Sequence, residues 1–245
     1  MMAAVLVLAF LGAWELYARS GAVDDLILPA PTQIADAIGR DRGLLWDNLL
    51  VTASEVAVGL VAALALGFGL AVALHFSRTA RRAVYPLLVA SQALPIVVIA
   101  PLLLVWLGFG LGPKVVIIAL ISFFPIVVTT LDALRSVDDD LRKLLRTMDA
   151  TRWQAFRFAE LPAAAPAALS GAKIAVAVSV IAAVFAEYAG SDSGLGHLIL
   201  QAIPQLQTAR AYAAVAILAA LAIALFYLLA AAERWLNPRH GGPTS

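Results

Sequence analysis

The chain has 245 residues, of which 62% are apolar and 13% are charged, and its mean hydropathy is +0.92. A soluble domain of this length could not bury so much apolar surface, so we expect the protein to lie in lipid. The formal net charge of +1 gives no case for nucleic acid as a partner. The absence of cysteine excludes disulfides, thiolate metal sites and a cysteine nucleophile.

The hydropathy pattern predicts six membrane-spanning segments. Four contain no charged residue and approach the roughly 20 residues that a spanning helix needs; they cover 56–74, 84–107, 115–131 and 211–232. The opening run 3–18 contains Glu15, and we expect an uncleaved helix rather than a signal peptide because further spans follow it. A sixth span covers 163–185, with Lys173 extending toward an interface.

These runs are continuous and rich in Ala and Leu, whereas strands of a membrane barrel alternate polar with apolar residues over about ten positions. The predicted fold class is therefore all-α, a polytopic membrane protein with about six transmembrane helices. Lys and Arg are concentrated in the segments that lie inside if the N-terminus is cytoplasmic. Eleven fall inside and four outside, namely Arg19, Arg40, Arg42 and Arg210.

One cytoplasmic segment is amphipathic and basic, with five Lys or Arg residues among the 17 positions 141–157. Ser136 and Asp139 resemble a capping box, which predicts the start of a short helix. We expect that helix to break near Asp149 and Ala150.

A second short helix is predicted to follow, because Thr151 and Gln154 form another capping pair and Pro162 would end it. Trp153 and Phe156 share one face of this helix. Such a bend would fit the groove of a soluble partner, or its aromatic residues would rest among lipid head groups; the residues alone leave both alternatives open.

The stretch KLLRTMDATRWQAFRFAELP resembles the coupling-loop signature of inner-membrane permeases of binding-protein-dependent ABC importers. SQALPIVVIAPLLLVWLGFG, FFPIVVTTLDALRSVD and AEYAGSDSGLGHLI resemble further segments of these permeases, and the similarity covers about 48–238. The family's E-A-A triplet falls on Lys143, Leu144 and Leu145, and its glycine falls on Asp149. Asp tolerates left-handed backbone better than most residues, so the bend is expected to persist.

The resemblance implies a type I importer permease in a bacterial inner membrane. The implied organisation is a first helix and outer segment (1–47), a permease core (48–238) with the coupling loop at about 136–162, and a cytoplasmic tail (239–245). It also implies an ABC ATPase, an extracytoplasmic substrate-binding protein, a second permease subunit in a homodimer and surrounding lipid as partners. The residues expected to contact the ATPase are Asp149, Ala150, Thr151, Trp153, Gln154, Phe156, Leu161 and Pro162.

No complete phosphate-binding loop occurs in the chain; GFGLGPK, at 108–114, lacks the required spacing and predicts a tight turn. The energy for transport is therefore expected to come from another chain, and the alternative is a secondary transporter without an ATPase. We expect no enzymatic activity, no cofactor and no metal site, since the three histidines lack ligand spacing.

Polar and proline residues within the spans are candidates for the translocation path, because polar groups in lipid favour the bundle interior. The candidates are Gln92, Pro95, Phe123, Phe124, Ser179 and Glu187. Such a lining would suit a flat, uncharged ring, and the resemblance favours a pyrimidine-type thiamine precursor, with sulfonate, taurine or nitrate as alternatives. A desolvated anion would need a cation at mid-depth, for which Lys173 is the candidate.

Overall fold

The protein is described here by a computed structural model covering residues 2–236, in which every regular element is helical. The all-α class is therefore confirmed. The predicted tail 239–245 lies outside the described residues. In chain order the helices are Met2–Arg19 (α1), Pro31–Arg40 (α2), Arg42–Phe76 (α3), Arg78–Ser91 (α4), Ile96–Leu107 (α5), Leu111–Ser136 (α6), Asp139–Thr147 (α7), Arg152–Ala155 (α8), Leu161–Gly190 (α9), Leu195–Ala202 (α10) and Thr208–Leu236 (α11).

Within this described range, four continuous helices are long and apolar enough to cross a membrane: Arg42–Phe76, Leu111–Ser136, Arg152–Gly190 and Thr208–Arg234. They confirm the predicted spans 56–74, 115–131, 163–185 and 211–232, and each extends beyond its apolar run. The opening helix α1 adds 18 residues, about 27 Å of helix. Its Glu15 accepts hydrogen bonds from the backbone and side chain of Thr32, which ties α1 to α2.

The prediction of one continuous helix over 84–107 is wrong. Helix α4 ends at Ser91 and α5 begins at Ile96, with an irregular segment between them. The break has a local cause, because Pro95 has no N–H to donate and disfavours helical backbone at Leu94. Four of the six predicted segments are thus continuous helices able to span a membrane, and α1 and the broken pair α4 and α5 occupy the positions of the other two.

The centre of the fold is α6, which packs along its length against α3 and α9. Small residues permit this approach: a Cβ atom on Gly59 would lie 2.5 Å from Ile118, and one on Gly67 would lie 2.8 Å from Ile126. Ala63 and Ala71 continue the four-residue spacing and are fully buried, giving α3 a stripe of small residues. Gly69 lies outside this stripe, since a Cβ atom there would meet none of the described residues within 4 Å.

Candidate functional site

The predicted bend of the cytoplasmic segment is present and centres on Asp149. Helix α7 ends at Thr147, and Asp149 adopts a left-handed backbone with φ of 56°. The amide of Asp149 donates to the carbonyl of Arg146 and that of Ala150 to the carbonyl of Leu145, at 3.1 and 3.0 Å. This pair of bonds is the Schellman arrangement, in which glycine is usual at the left-handed position. Asp149 therefore performs the backbone role of the family's glycine.

Of the two predicted capping boxes, one is present in the structure. Thr151 and Gln154 do form a reciprocal capping box at the start of α8. The box expected from Ser136 is wrong: α6 continues through Ser136, and Asp138 caps α7 by accepting from the amide of Asp140 at 2.8 Å.

Pro162 does not end the second helix, contrary to the sequence prediction. Helix α8 continues through a π-helical turn, Phe156–Glu160, into α9, so Leu161 and Pro162 lie in the first turn of a membrane helix. A π turn rearranges the backbone hydrogen bonds just before the proline ring, and proline is tolerated in a first helical turn. The coupling bend is thus covalently continuous with a spanning helix.

An aromatic cluster joins this bend to the cytoplasmic end of α3. The ring of Phe156 lies 5.1 Å from Phe76 and 5.3 Å from Trp153, and the Arg152 guanidinium lies 5.7 Å from the Phe76 ring centre. Phe156 is only 3% exposed, whereas Trp153 is 56% exposed. Of the two predicted contact residues, Phe156 is therefore the internal anchor and Trp153 presents its surface outward.

Glu160 holds the same region by charge. One of its carboxylate oxygens lies 2.6 Å from Nε2 of His75 on α3, and the other accepts from Nε of Arg142 on α7, also at 2.6 Å. Arg142 also donates to the carbonyl of Leu134 near the end of α6. Partial burial alone would lower the pKa of Arg142, but its hydrogen bonds to Glu160 and Asp139 raise it, with a net upward shift. The Glu160 carboxylate thus connects the start of α9 with α3 and α7, and Arg142 extends the connection to α6.

Sequence spacing does not indicate this network, because Glu160 and His75 are 85 positions apart. The only local signal is an acidic residue among basic ones just before a span. The anchored bend leaves large apolar side chains exposed, including those of Leu144, Met148, Trp153 and Phe158. An anchored, exposed apolar surface of this kind is suited to a groove on a soluble partner.

The path candidates occupy three different environments. Gln92 and Pro95 are exposed at the break between α4 and α5. Phe123 and Phe124 are half-buried and pack against a cluster shared by α3, α4 and α6. Ser179 is fully buried and donates to the carbonyl of Val176 at 2.7 Å.

Glu187 is fully buried at the outer end of α9, where it caps α10. Its carboxylate accepts from the amides of Gly196 and His197 and from the hydroxyl of Thr52. Thr52 in turn accepts from the amide of Leu195, at 2.8 Å. The amide of Gly194 donates to Oδ1 of Asn48, at 2.7 Å, so the four amides from Gly194 to His197 all have side-chain acceptors.

The glycines after Glu187 make that cap possible. A Cβ atom on Gly194 would overlap the carboxylate, and one on Gly196 would lie 2.7 Å from it. The two glycines of the stretch SDSGLGH therefore leave room for the buried Glu187 carboxylate. Within residues 2–236, no group of three His, Cys, Asp or Glu side chains is placed to hold a metal ion.

Two lysines within the bundle form ion pairs, one buried and one partly exposed. Lys114, at the outer end of α6, donates to Glu55 at 2.6 Å and is 5% exposed. Glu55 on α3 is likewise buried inside the bundle. Lys173 on α9 pairs with Glu233 on α11, so its charge is already matched within the chain.

The described residues form a multi-pass helical bundle with an anchored bend between two of its membrane helices. A sequence profile described as "Binding-protein-dependent transport system inner membrane component" matches residues 63–241. The chain belongs to this family. It is therefore an inner-membrane permease of an ABC importer and works with an ATPase and a substrate-binding protein.

Several curated relatives match nearly the whole chain. A probable ABC transporter permease of Haemophilus influenzae is 35% identical, with 87% of each chain covered. The formylaminopyrimidine transport permease ThiX of Halalkalibacterium halodurans is 34% identical, covering 92% of this chain and 90% of the relative. The riboflavin transport permease RibX of Chloroflexus aurantiacus is also 34% identical, with coverages of 91% and 84%.

Solved structures support the fold. A chain of the MetNI methionine ABC transporter, in inward-facing conformations, matches with a TM-score of 0.65 at 21% identity. The match covers 80% of this chain and 95% of that one. At this identity the likeness concerns the fold alone.

Proposed function

We propose that the bend formed by α7, α8 and the π turn is the surface through which the ATPase drives this permease. The observation that carries the proposal is the double anchoring of the bend to α3. Glu160 bonds His75, and Phe156 packs on Phe76, while Trp153 remains exposed. A partner that moves Trp153 would move the cytoplasmic end of the bundle with it.

Trp153→Ala tests the proposal. The variant should insert and fold, because the side chain is half-exposed outside the packed bundle, and ATPase docking should weaken by about 2 kcal/mol or more if Trp153 is a hot spot. The measurement is substrate-stimulated ATP hydrolysis and uptake by the reconstituted complex. Trp46→Ala, at an outer tryptophan that is 59% exposed, is the matched control. Full stimulated hydrolysis in Trp153→Ala would contradict the coupling role and favour a lipid-interface role for this face.

We further propose that a second copy of the chain covers the break between α4 and α5 and that the path runs beside it. Irregular backbone at membrane depth is tolerated where it is buried in protein or lines a cavity. In the single chain, Gln92 and Pro95 are exposed. The packing of Phe123 and Phe124 behind α4 supports this wall from the inside.

The natural absence of cysteine permits a direct test of this interface. Gln92→Cys should form an intersubunit disulfide in oxidised membranes, while Leu228→Cys, exposed on α11, should not. A monomeric Gln92→Cys variant in an active complex would overturn the homodimer arrangement.

For the substrate we propose a small uncharged heterocycle of the pyrimidine vitamin-precursor class. Support comes from the relatives named for formylaminopyrimidine and riboflavin, and from Lys173, whose pairing with Glu233 leaves it a poor partner for an anion. Sulfonate or taurine is the second candidate, because the taurine transport permease TauC of Escherichia coli is 29% identical over 93% of this chain. Uptake by the complex with its own binding protein decides between them: transport of an alkanesulfonate that excess aminopyrimidine does not inhibit would overturn the first candidate.

A further inference from the structure

A cavity of about 520 Å³ opens at the outer end of the bundle, where α5, α6 and α9 meet. Its lining consists of Phe109, Gly110, Lys114, Gly190, Ser191 and Asp192. The volume lies within the range of small-molecule sites. It is separate from the cytoplasmic bend and from the break at Gln92 and Pro95.

Lys114 places a buried ammonium group at this cavity, and one of its N–H groups has no acceptor among the described residues. Its ammonium donates to Glu55 at 2.6 Å and to Ser191 Oγ at 2.5 Å. The Ser191 hydroxyl has its own hydrogen engaged with the carbonyl of Ser193, at 2.6 Å. An ammonium has three N–H groups, so among the described residues one remains for a ligand.

The charge of the cavity disfavours anions. Glu55 matches Lys114, and Asp192 then adds an exposed carboxylate for which the described residues show no hydrogen-bond partner. The site therefore offers one donor and one acceptor with a net negative charge. A sulfonate would gain the donor but would face Asp192, whereas an amino group would donate to it.

Phe109 supplies an apolar surface beside these groups. The residue is 84% exposed, and its ring lies against α9 where Gly190 has no side chain: a Cβ atom there would be 3.2 Å from Phe109 Cε1. Gly108 and Gly110 flank the ring with φ of 82° and 116°, backbone conformations that other residues rarely take. A flat ring can stack on such a face.

We propose that this cavity is an entrance site at which the permease receives an uncharged aminoheterocycle. Lys114 donates to a ring nitrogen or carbonyl of the ligand, Asp192 accepts from its amino group, and Phe109 stacks on its plane. The inference rests on the proposed substrate class and adds a place and three specificity-determining residues. It assigns the permease a share of selectivity in addition to that of the binding protein.

The test measures ligand binding at the cavity without the binding protein. Leu111→Cys, next to the lining and 48% exposed, provides a single labelling site for an impermeant maleimide in proteoliposomes. Millimolar formylaminopyrimidine should slow labelling at least about threefold, and millimolar taurine should not. Adding Asp192→Asn or Phe109→Ala to the reporter should weaken apparent binding by about tenfold, roughly one hydrogen bond or stacking contact.

Controls separate folding from binding. Asp47→Asn, also acidic and exposed at the outer side but outside the cavity lining, should leave protection unchanged. Lys114 is tested as the pair Lys114→Met with Glu55→Leu, because removing the lysine alone would leave a buried carboxylate uncompensated. This pair should abolish protection while the variant permease still inserts and is recovered in complex with the ATPase, which shows that it has folded.

Each remaining result overturns a stated part of the inference. Protection that survives Asp192→Asn and Phe109→Ala, or no protection by either ligand, overturns the entrance site. Protection by taurine alone overturns the preference for uncharged heterocycles. Uptake by the complete complex is measured separately, so heterocycle transport without protection at Leu111→Cys overturns the cavity while leaving the proposed substrate class intact.

Discussion

Replacing Glu160 by alanine removes the carboxylate that connects α3, α7 and α9. Two charge-assisted hydrogen bonds of 2.6 Å are lost, to His75 and to Arg142. The His75 side chain is 11% exposed and cannot recover a full water shell, whereas Arg142, at 24%, recovers part of one. Breaking a fully buried pair costs about 3–5 kcal/mol, so with this partial solvation we expect Glu160→Ala to lower the free energy of unfolding by about 2–4 kcal/mol.

The assay is denaturant titration of the purified permease in micelles, followed by ATPase stimulation in the reconstituted complex. Asp140→Ala is the control, because Asp140 pairs with Lys143 at 2.7 Å but both side chains are more than 70% exposed, and such pairs contribute about 0–1 kcal/mol. Glu160→Gln should give an intermediate loss, since an amide oxygen can still accept from Arg142. If Glu160→Ala unfolds at the same denaturant concentration as Asp140→Ala and couples normally, the anchoring argument is refuted.

Three further predictions concern the bend, the packing and the topology. Asp149→Gly should stabilise the coupling bend by about 1 kcal/mol, because glycine adopts the left-handed backbone without a side-chain penalty; unchanged or lower stability in denaturant titration would contradict this. Gly67→Leu should destabilise the bundle by about 1–3 kcal/mol through overpacking, whereas Gly69→Leu should change stability by less than about 0.5 kcal/mol. Equal losses of stability in the same titration would argue against the close approach of α3 and α6. An impermeant maleimide should label Gln201→Cys but not Arg82→Cys from outside intact cells, and the reverse pattern would invert the topology.

Local chemistry explains what the sequence could predict. Apolar runs locate the spanning helices because the bilayer fixes their length, and capping residues locate the bend because Thr151 and Gln154 act over three positions. The left-handed Asp149 follows from its alignment with a family glycine. The break before Pro95 is also encoded locally, but hydropathy alone does not register it.

The missed parts depend on pairings across the fold. Thr52 and Glu187 meet across 135 positions, and Lys114 and Glu55 across 59, so neither pair has a periodic signal. Each of the three charged residues, taken alone, resembles a charge near a membrane surface. The π turn before Pro162 was missed for a different reason: proline inside an apparent helix usually ends it, and only the surrounding packing shows that the backbone continues.

The polar contacts at the two ends of α3 have a consequence for how this subunit can move. Near its outer end, Thr52 bonds Glu187 of α9, and near its cytoplasmic end His75 bonds Glu160 just before α9. The two carboxylates are separated along the chain by about 40 Å of helix. Two helices that are hydrogen-bonded to each other near both ends cannot slide or separate without breaking one of these bonds. Helices α3 and α9, together with α6, which packs against both, therefore form a single rigid body. A rotation of this rigid body by about 5° about its middle shifts its two ends by about 2 Å in opposite directions. The hydrogen bonds between α3 and α9 stay intact during this rotation.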